Sequence, residues 1–205
     1  MPVLRRVLCV LLPGLLVVSA ARAQKLCAQS ASGPFGLHMG MTKAELERVA
    51  GPLERMKTGL YKATHVPKPH ERFETYYLVM SPSFGLCQIW VTGVSIKTSG
   101  FGTQLHEEFE TIKAAMASKY GAPTINLDGV PEGSLWTEPQ YWMMGLLQHD
   151  RTLKAAWENL GGDLEVIFLD TTALSTDEGW LKLSYHFKNS DKCVDELRKT
   201  TNEAF

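Results

Sequence analysis

The chain has 205 residues, of which 21 are basic and 22 acidic, for a formal net charge of −1; 44% are hydrophobic. This balance, with no long basic run, argues against nucleic acid or an anionic membrane surface as a partner. It leaves apolar material for one core or for two small, closely packed halves.

The first 23 residues read as an export signal. Arg5 and Arg6 precede an apolar run from Val7 to Val18, and Ala21-Arg22-Ala23 forms a small-x-small cleavage pattern. The run is shorter than the roughly 20 residues that span a bilayer. Cleavage there removes Arg5, Arg6 and Arg22 and no acid, so the net charge moves from −1 to −4. Residues 24–205 are then expected to form a single exported domain, periplasmic or secreted, with no membrane span. Three cysteines survive: Cys27, Cys87 and Cys193. An oxidising compartment favours one disulfide among three pairings, with one thiol left over. Cys27 lies in a Ser/Ala/Gln-rich tail, and Cys87 and Cys193 lie in or beside expected structure, so Cys87–Cys193 is preferred.

Two similar units are expected, at about 32–98 and 99–188. In the first, Thr42 and Glu45 form a capping box, Met41 is placed to staple onto Leu46, and the helix stops at Gly51-Pro52. The stretch that follows is polar and loop-like to Glu71. Phe73–Met80 then reads as a strand, Ser81–Gly85 as a turn, and Leu86–Ile96 as a more buried strand. In the second, Thr103 is expected to cap a helix whose residues Leu105, Phe109, Ile112 and Met116 share one face. Gly121 ends that helix and Pro123 prevents its resumption. Arg151–Trp157 reads as a short strand and Leu164–Asp170 as a continuous apolar one. Trp180–Phe187 alternates, with Leu181, Leu183, Tyr185 and Phe187 inward. Ser32-Gly33-Pro34-Phe35-Gly36 before the first helix is echoed by Ser99-Gly100-Phe101-Gly102 before the second. The fold class is α+β, with helices on one face of an antiparallel sheet.

Candidate chemistry is sparse. His106 and Glu110 share a helix face but lack the second histidine of a zinc-protease helix. His65, His70 and Glu71 crowd a Pro-rich loop without metal-ligand spacing. There is no Gly-x-Ser-x-Gly elbow, phosphate-binding glycine loop or reactive-cysteine signature. No catalytic residue, metal or cofactor is expected. The aromatic and Met-rich stretch from Val130 to Leu147 has two readings. It completes the core, which is preferred, or it offers Trp136, Tyr141, Trp142, Met143 and Met144 as a protein-binding surface.

Gly40-Met41-Thr42 with Glu45, followed by Gly51-Pro52, resembles the helix motif of small outer-membrane-assembly lipoproteins and of tandem-repeat β-lactamase inhibitor proteins. That resemblance implies helices packed on an antiparallel sheet. Cys27 follows Ala23-Gln24-Lys25-Leu26 and so lacks a lipobox, which departs from the lipoproteins. Lys119-Tyr120-Gly121-Ala122-Pro123, Trp136-x-Glu138-Pro139 and Trp142–Leu146 resemble a group of uncharacterised exported bacterial proteins, which implies location and no activity. The expected function is non-enzymatic: binding another envelope or secreted protein, or helping it assemble. The alternatives are a periplasmic hydrolase using His and Glu side chains, and a proteinaceous inhibitor of a secreted enzyme.

Overall fold

The first helix starts where two side chains satisfy each other's backbone. In the computed structural model, which describes residues 33–202, the Glu45 N–H donates to Thr42 Oγ1 at 3.3 Å and the Thr42 N–H donates to Glu45 Oε2 at 2.9 Å. This capping box opens α1 (Lys43–Ala50), which ends at Gly51. Met41 and Leu46, the expected staple, are both buried. The expected signal segment, residues 1–23, and Cys27 lie outside the described residues.

The polar stretch after α1 is not a loop. It forms β1 (Leu53–Lys57) and β2 (Leu60–Ala63), paired antiparallel with Leu53 opposite Ala63. β1 is an edge strand with Glu54 to Lys57 all exposed, so no apolar alternation marks it. β3 (Phe73–Ser81) and β4 (Gly85–Gly93) complete a four-stranded meander. The long strand expected over Leu86–Ile96 is interrupted after Gly93, and β5 (Ile96–Lys97) pairs instead with a later strand.

α2 (Thr103–Tyr120) buries Leu105, Phe109, Ile112 and Met116, as their spacing predicts. Thr103 is not its cap. Gly102 holds that position at φ 69° with no side-chain cap, and its N–H donates to the Ser99 carbonyl at 2.8 Å. A Cβ there would overlap the Trp142 ring, so packing fixes a glycine where capping chemistry would place a hydroxyl. The chain continues through β6 (Ile125–Gly129), a short 3₁₀ turn (Pro139–Tyr141) and α3 (Trp142–Leu147). β7 (Thr152–Glu158), β8 (Leu164–Ala173) and β9 (Glu178–Phe187) follow, and α4 (Ser190–Asn202) ends the described chain. Neither β6 nor α4 was expected.

The strands form one antiparallel sheet in the order β1-β2-β3-β4-β9-β8-β7-β6, with β5 on β9. Each half is a helix followed by a four-stranded meander. The halves meet through their last strands, with Gln88 opposite His186, Trp90 opposite Ser184 and Thr92 opposite Lys182. Antiparallel pairing of equivalent strands relates the halves by an approximate two-fold axis. The fold is the expected α+β class in one domain, although the hairpin expected in the first half and the three strands expected in the second are each part of a meander of four strands.

α1, α2 and α3 cover one face, and the main core lies between them and the sheet. Tyr185, Leu183 and Leu181 from β9 meet Met116, Phe109 and Met143 there. The opposite face is not bare, as a one-sided arrangement would leave it: α4 crosses it over β3 and β4. A bulge makes this attachment. Val79 pairs with Gln88 but Met80 pairs with Leu86, so Cys87 is the extra residue. It joins Cys193 of α4 in a disulfide with 6.4 Å between Cα atoms, and both cysteines are fully buried beside Val79. Among the described residues no helix is long and apolar enough to cross a membrane.

Candidate functional site

The sequence-marked residues do not converge. His65 packs beside Gly51, and its ring lies 3.4 Å from Thr64 Oγ1. His70 Nδ1 accepts from the Arg72 N–H at 3.2 Å, which is a local turn contact, and Glu71 is exposed beside Arg72. His106 Nε2 lies 3.3 Å from Asp128 Oδ2, while Glu110 accepts from Lys113 at 2.6 Å. Asp128 also accepts from Arg151 at 2.9 Å, so the His106 contact is a latch between α2, β6 and the start of β7. Among the described residues no group of three or more His, Cys, Asp or Glu is arranged to hold a metal ion.

The aromatic stretch divides. Trp142, Met143 and Leu146 are buried in the main core through α3, whose closest sheet neighbour is β8. Trp136 and Met144 are half-buried, and Tyr141 is 43% exposed with its ring 5.8 Å from that of Trp136. Gly145 lets α3 approach, since a Cβ there would lie 3.2 Å from the Trp136 Cβ.

The outer face of the sheet presents a more extensive surface. Side chains directly opposite in an antiparallel pair share a face. One such row runs Lys62, Tyr77, Trp90, Ser184, Phe168, Ala156, Ile125. A second runs Thr92, Lys182, Asp170, Lys154, Leu127, and a third Val79, Gln88, His186, Val166, Glu158. Tyr77, Trp90, Phe168, Val166 and His186 are half-buried, against near-zero exposure for their inward neighbours. Ile125 and Leu127 are 37% and 46% exposed, which carries the apolar surface to the β6 edge.

The two halves of this face differ. Over β3 and β4, α4 lays Cys193, Val194 and Leu197 toward the sheet and leaves a groove of about 640 Å³. Leu60, Val79, Trp90 and Leu197 line the groove, with Gln88 and His186 at its polar end. The buried Gln88 amide donates to Ser190 Oγ at 2.6 Å, and Asn189 donates to the Phe84 and Leu86 carbonyls, which fixes the start of α4. Over β7 and β8 no helix of the described residues lies on the outer side beyond the start of α4, where Ser190 and Asp191 border Val166, Phe168 and His186 together with Glu158 and Glu165.

Lysines lie over two of these aromatics. Lys154 Nζ sits 4.4 Å from the Phe168 ring centroid and Lys182 Nζ 5.6 Å from that of Trp90. Asp170 lies in register between the two lysines and pairs with Lys154 at 3.4 Å. His186 meets Phe168 edge-on at 5.5 Å; burial, and then the Lys182 charge, holds its pKa below the usual imidazole value. It therefore adds no positive charge near neutral pH.

This surface had a sequence signal. β4 and β8 read as apolar on both alternating sides, and a strand covered on only one side must then expose hydrophobes on the other.

Comparison of the chain with protein-family models, with curated proteins and with solved structures finds no match.

Proposed function

We propose that the protein acts outside the cytoplasm, without catalysis of its own, by binding another envelope or secreted protein through the outer face of its sheet. The carrying observation is the outer surface of β7, β8 and β9, with Phe168 and Val166 half-buried and, among the described residues, no helix laid across them beyond the start of α4 at their edge. Large rigid aromatics supply much contact area at low entropic cost, and contiguous apolar surface rimmed by polar groups marks interaction sites. The Cys87–Cys193 disulfide and the signal-like first 23 residues support an oxidising compartment. The scattering of His65, His70 and His106 favours binding over hydrolysis.

The tandem helix-and-meander plan also supports a second reading, inhibition of a secreted enzyme through the same face. The two readings differ in outcome, since an inhibitor abolishes the target's turnover at one-to-one stoichiometry.

The test is affinity capture from envelope and culture-medium fractions with wild type, Phe168→Asp and Tyr141→Ala. A partner retained by wild type and Tyr141→Ala but lost by Phe168→Asp supports the outer face. A partner lost only with Tyr141→Ala moves the interface to the 130–147 stretch.

A further inference from the structure

We infer that the seam between the two halves, on the helix side of the sheet, binds a small aryl carboxylate, its ring among aromatic and thioether side chains and its anion at Lys119 and His70. The site lies on the face opposite the proposed partner surface and is independent of that reading. Ligand cavities form where two packed units meet without filling the space between them. Here Leu183 and Tyr185 of β9 make the floor. Ile112 and Met116 of α2 make one wall, and Phe35 and Phe73 of the first half make the other. The cavity measures about 330 Å³, and ligand pockets run from about 300 Å³ upward.

Phe35 reaches this wall through a strained backbone. It is a non-glycine residue at φ 55°, and the Lys68 N–H fixes it by donating to its carbonyl at 3.0 Å. Its ring meets those of Phe73 and Tyr185 edge-on at 6.1 and 5.7 Å. Phe101, its echo before α2, has no positive φ and is 55% exposed, so the strain belongs to the seam and not to the motif. Strained residues of this kind cluster at ligand clamps. The rim selects charge. Among the described residues Lys119 has no carboxylate partner, its ammonium lying 4.9 Å from the Tyr120 ring. His70 Nδ1 accepts from the Arg72 N–H at 3.2 Å, so the ring proton sits on Nε2 as a donor. No described Asp or Glu lines the cavity. Glu71, next to His70 in sequence, and Glu108, one turn before Ile112, both face Arg72, at 3.9 and 3.4 Å. Donors and positive charge at the rim favour an anion over an amine. Rings and the Met116 sulfur favour a flat aromatic body below it.

The experiment titrates disulfide-bonded protein, labelled at its methionine methyls and backbone amides, with four probes followed by NMR. Phenylpropionate, phenylpropionamide and phenylpropylamine share a body and differ in head charge, and hexanoate keeps the anion without the ring. The expected result is binding of phenylpropionate with a Kd of about 0.1–1 mM, read from the Met116 methyl and the amides of residues 70, 112 and 119. The other three bind at least about five-fold more weakly. Lys119→Gln brings phenylpropionate down to the level of the amide. Ala115→Trp, at an exposed α2 position on the cavity mouth, abolishes binding by filling it. Both substitutions lie on the helix surface and leave the core intact. The inference is overturned by amide, amine or hexanoate binding as tightly as phenylpropionate, or by no Met116 shift at about 10 mM probe. Binding indifferent to Ala115→Trp, or contacts from residues 24–32 to the Met116 methyl in the free protein, also overturns it, the last because the chain itself would then occupy the seam.

Discussion

Lys154 reaches across the β7–β8 pair to place its ammonium 4.4 Å from the centre of the Phe168 ring. An exposed cation–π contact of this kind contributes about 0.5–1 kcal/mol, and it keeps a large hydrophobe tolerable on a sheet face that no helix of the described residues crosses at that point. Lys182 sits 5.6 Å from the Trp90 ring at the edge of the α4 groove. The Phe168 ring is thus tolerated in water on this face.

The two sides of the sheet should respond differently to truncation. Trp142, 7% exposed in the main core, should lose about 3–5 kcal/mol on replacement by Ala. Phe168→Ala, on the half-buried outer face, should cost about 1–2 kcal/mol. Urea unfolding of the two variants measures both, and equal losses would contradict the assignment of faces.

Gly102→Ala should also destabilise strongly. The position has φ 69°, and the added Cβ would overlap the Trp142 ring. Strain and overpacking each cost about 1–3 kcal/mol. If Trp142→Ala is combined with it, the packing part of the penalty should shrink while the backbone part remains. A double-mutant cycle by chemical denaturation resolves the two.

The disulfide should stabilise through the 106-residue separation that it closes. Replacing Cys87 and Cys193 together by Ala should cost about 2–5 kcal/mol. Hydrogen exchange should then show α4 opening before the meander strands, because the helix otherwise rests on Leu197, Val194 and a few polar ties such as Gln88–Ser190. Simultaneous opening of α4 and β3 would contradict this.

The α1 cap gives a pH-dependent prediction. Hydrogen bonds to the Thr42 backbone, and then to its side chain, hold the Glu45 pKa below its ordinary 4.5. A depressed carboxylate pKa stabilises the fold above the unfolded value, and that contribution fades as pH falls through the folded value. Thr42→Ala should cost about 1 kcal/mol at pH 7. The gap between wild type and variant should narrow below the ordinary Glu range. A constant gap down to strongly acid pH would count against the capping box.

Tyr185 gives the alkaline counterpart. Burial raises its phenol far above the usual value of 10.0. Its neutral form therefore stabilises the fold below pH 10, and the contribution is lost as pH rises above the unfolded value toward the folded one. Tyr185→Phe should reduce the alkaline loss of stability, as read by thermal melts between about pH 8 and pH 11.

Much of the fold was legible in the sequence wherever apolar residues repeat with a fixed period. The buried stripe of α2 and the alternation of Leu181, Leu183, Tyr185 and Phe187 rest on such patterns, and the Thr42–Glu45 spacing marks the start of α1. β1 and β6 were not legible, because Glu54–Lys57 and Ile125–Gly129 are exposed edge positions held by pairing alone. α4 was missed because few of its residues are apolar and it is fastened by a disulfide and polar contacts. The outer face was half legible. The apolar runs of β4 and β8 announced hydrophobes on both sides, but only the tertiary arrangement shows that α4 covers one half and that Phe168 stays half-buried among the described residues.

The most direct measurement places a photo-activatable cross-linking residue at position 168, with position 141 as comparison, in the protein produced in its own cells. The account predicts a discrete protein adduct from 168 that disappears when Lys154 and Lys182 are both changed to Glu, and none from 141. A discrete adduct from 141 with nothing from 168 would contradict it.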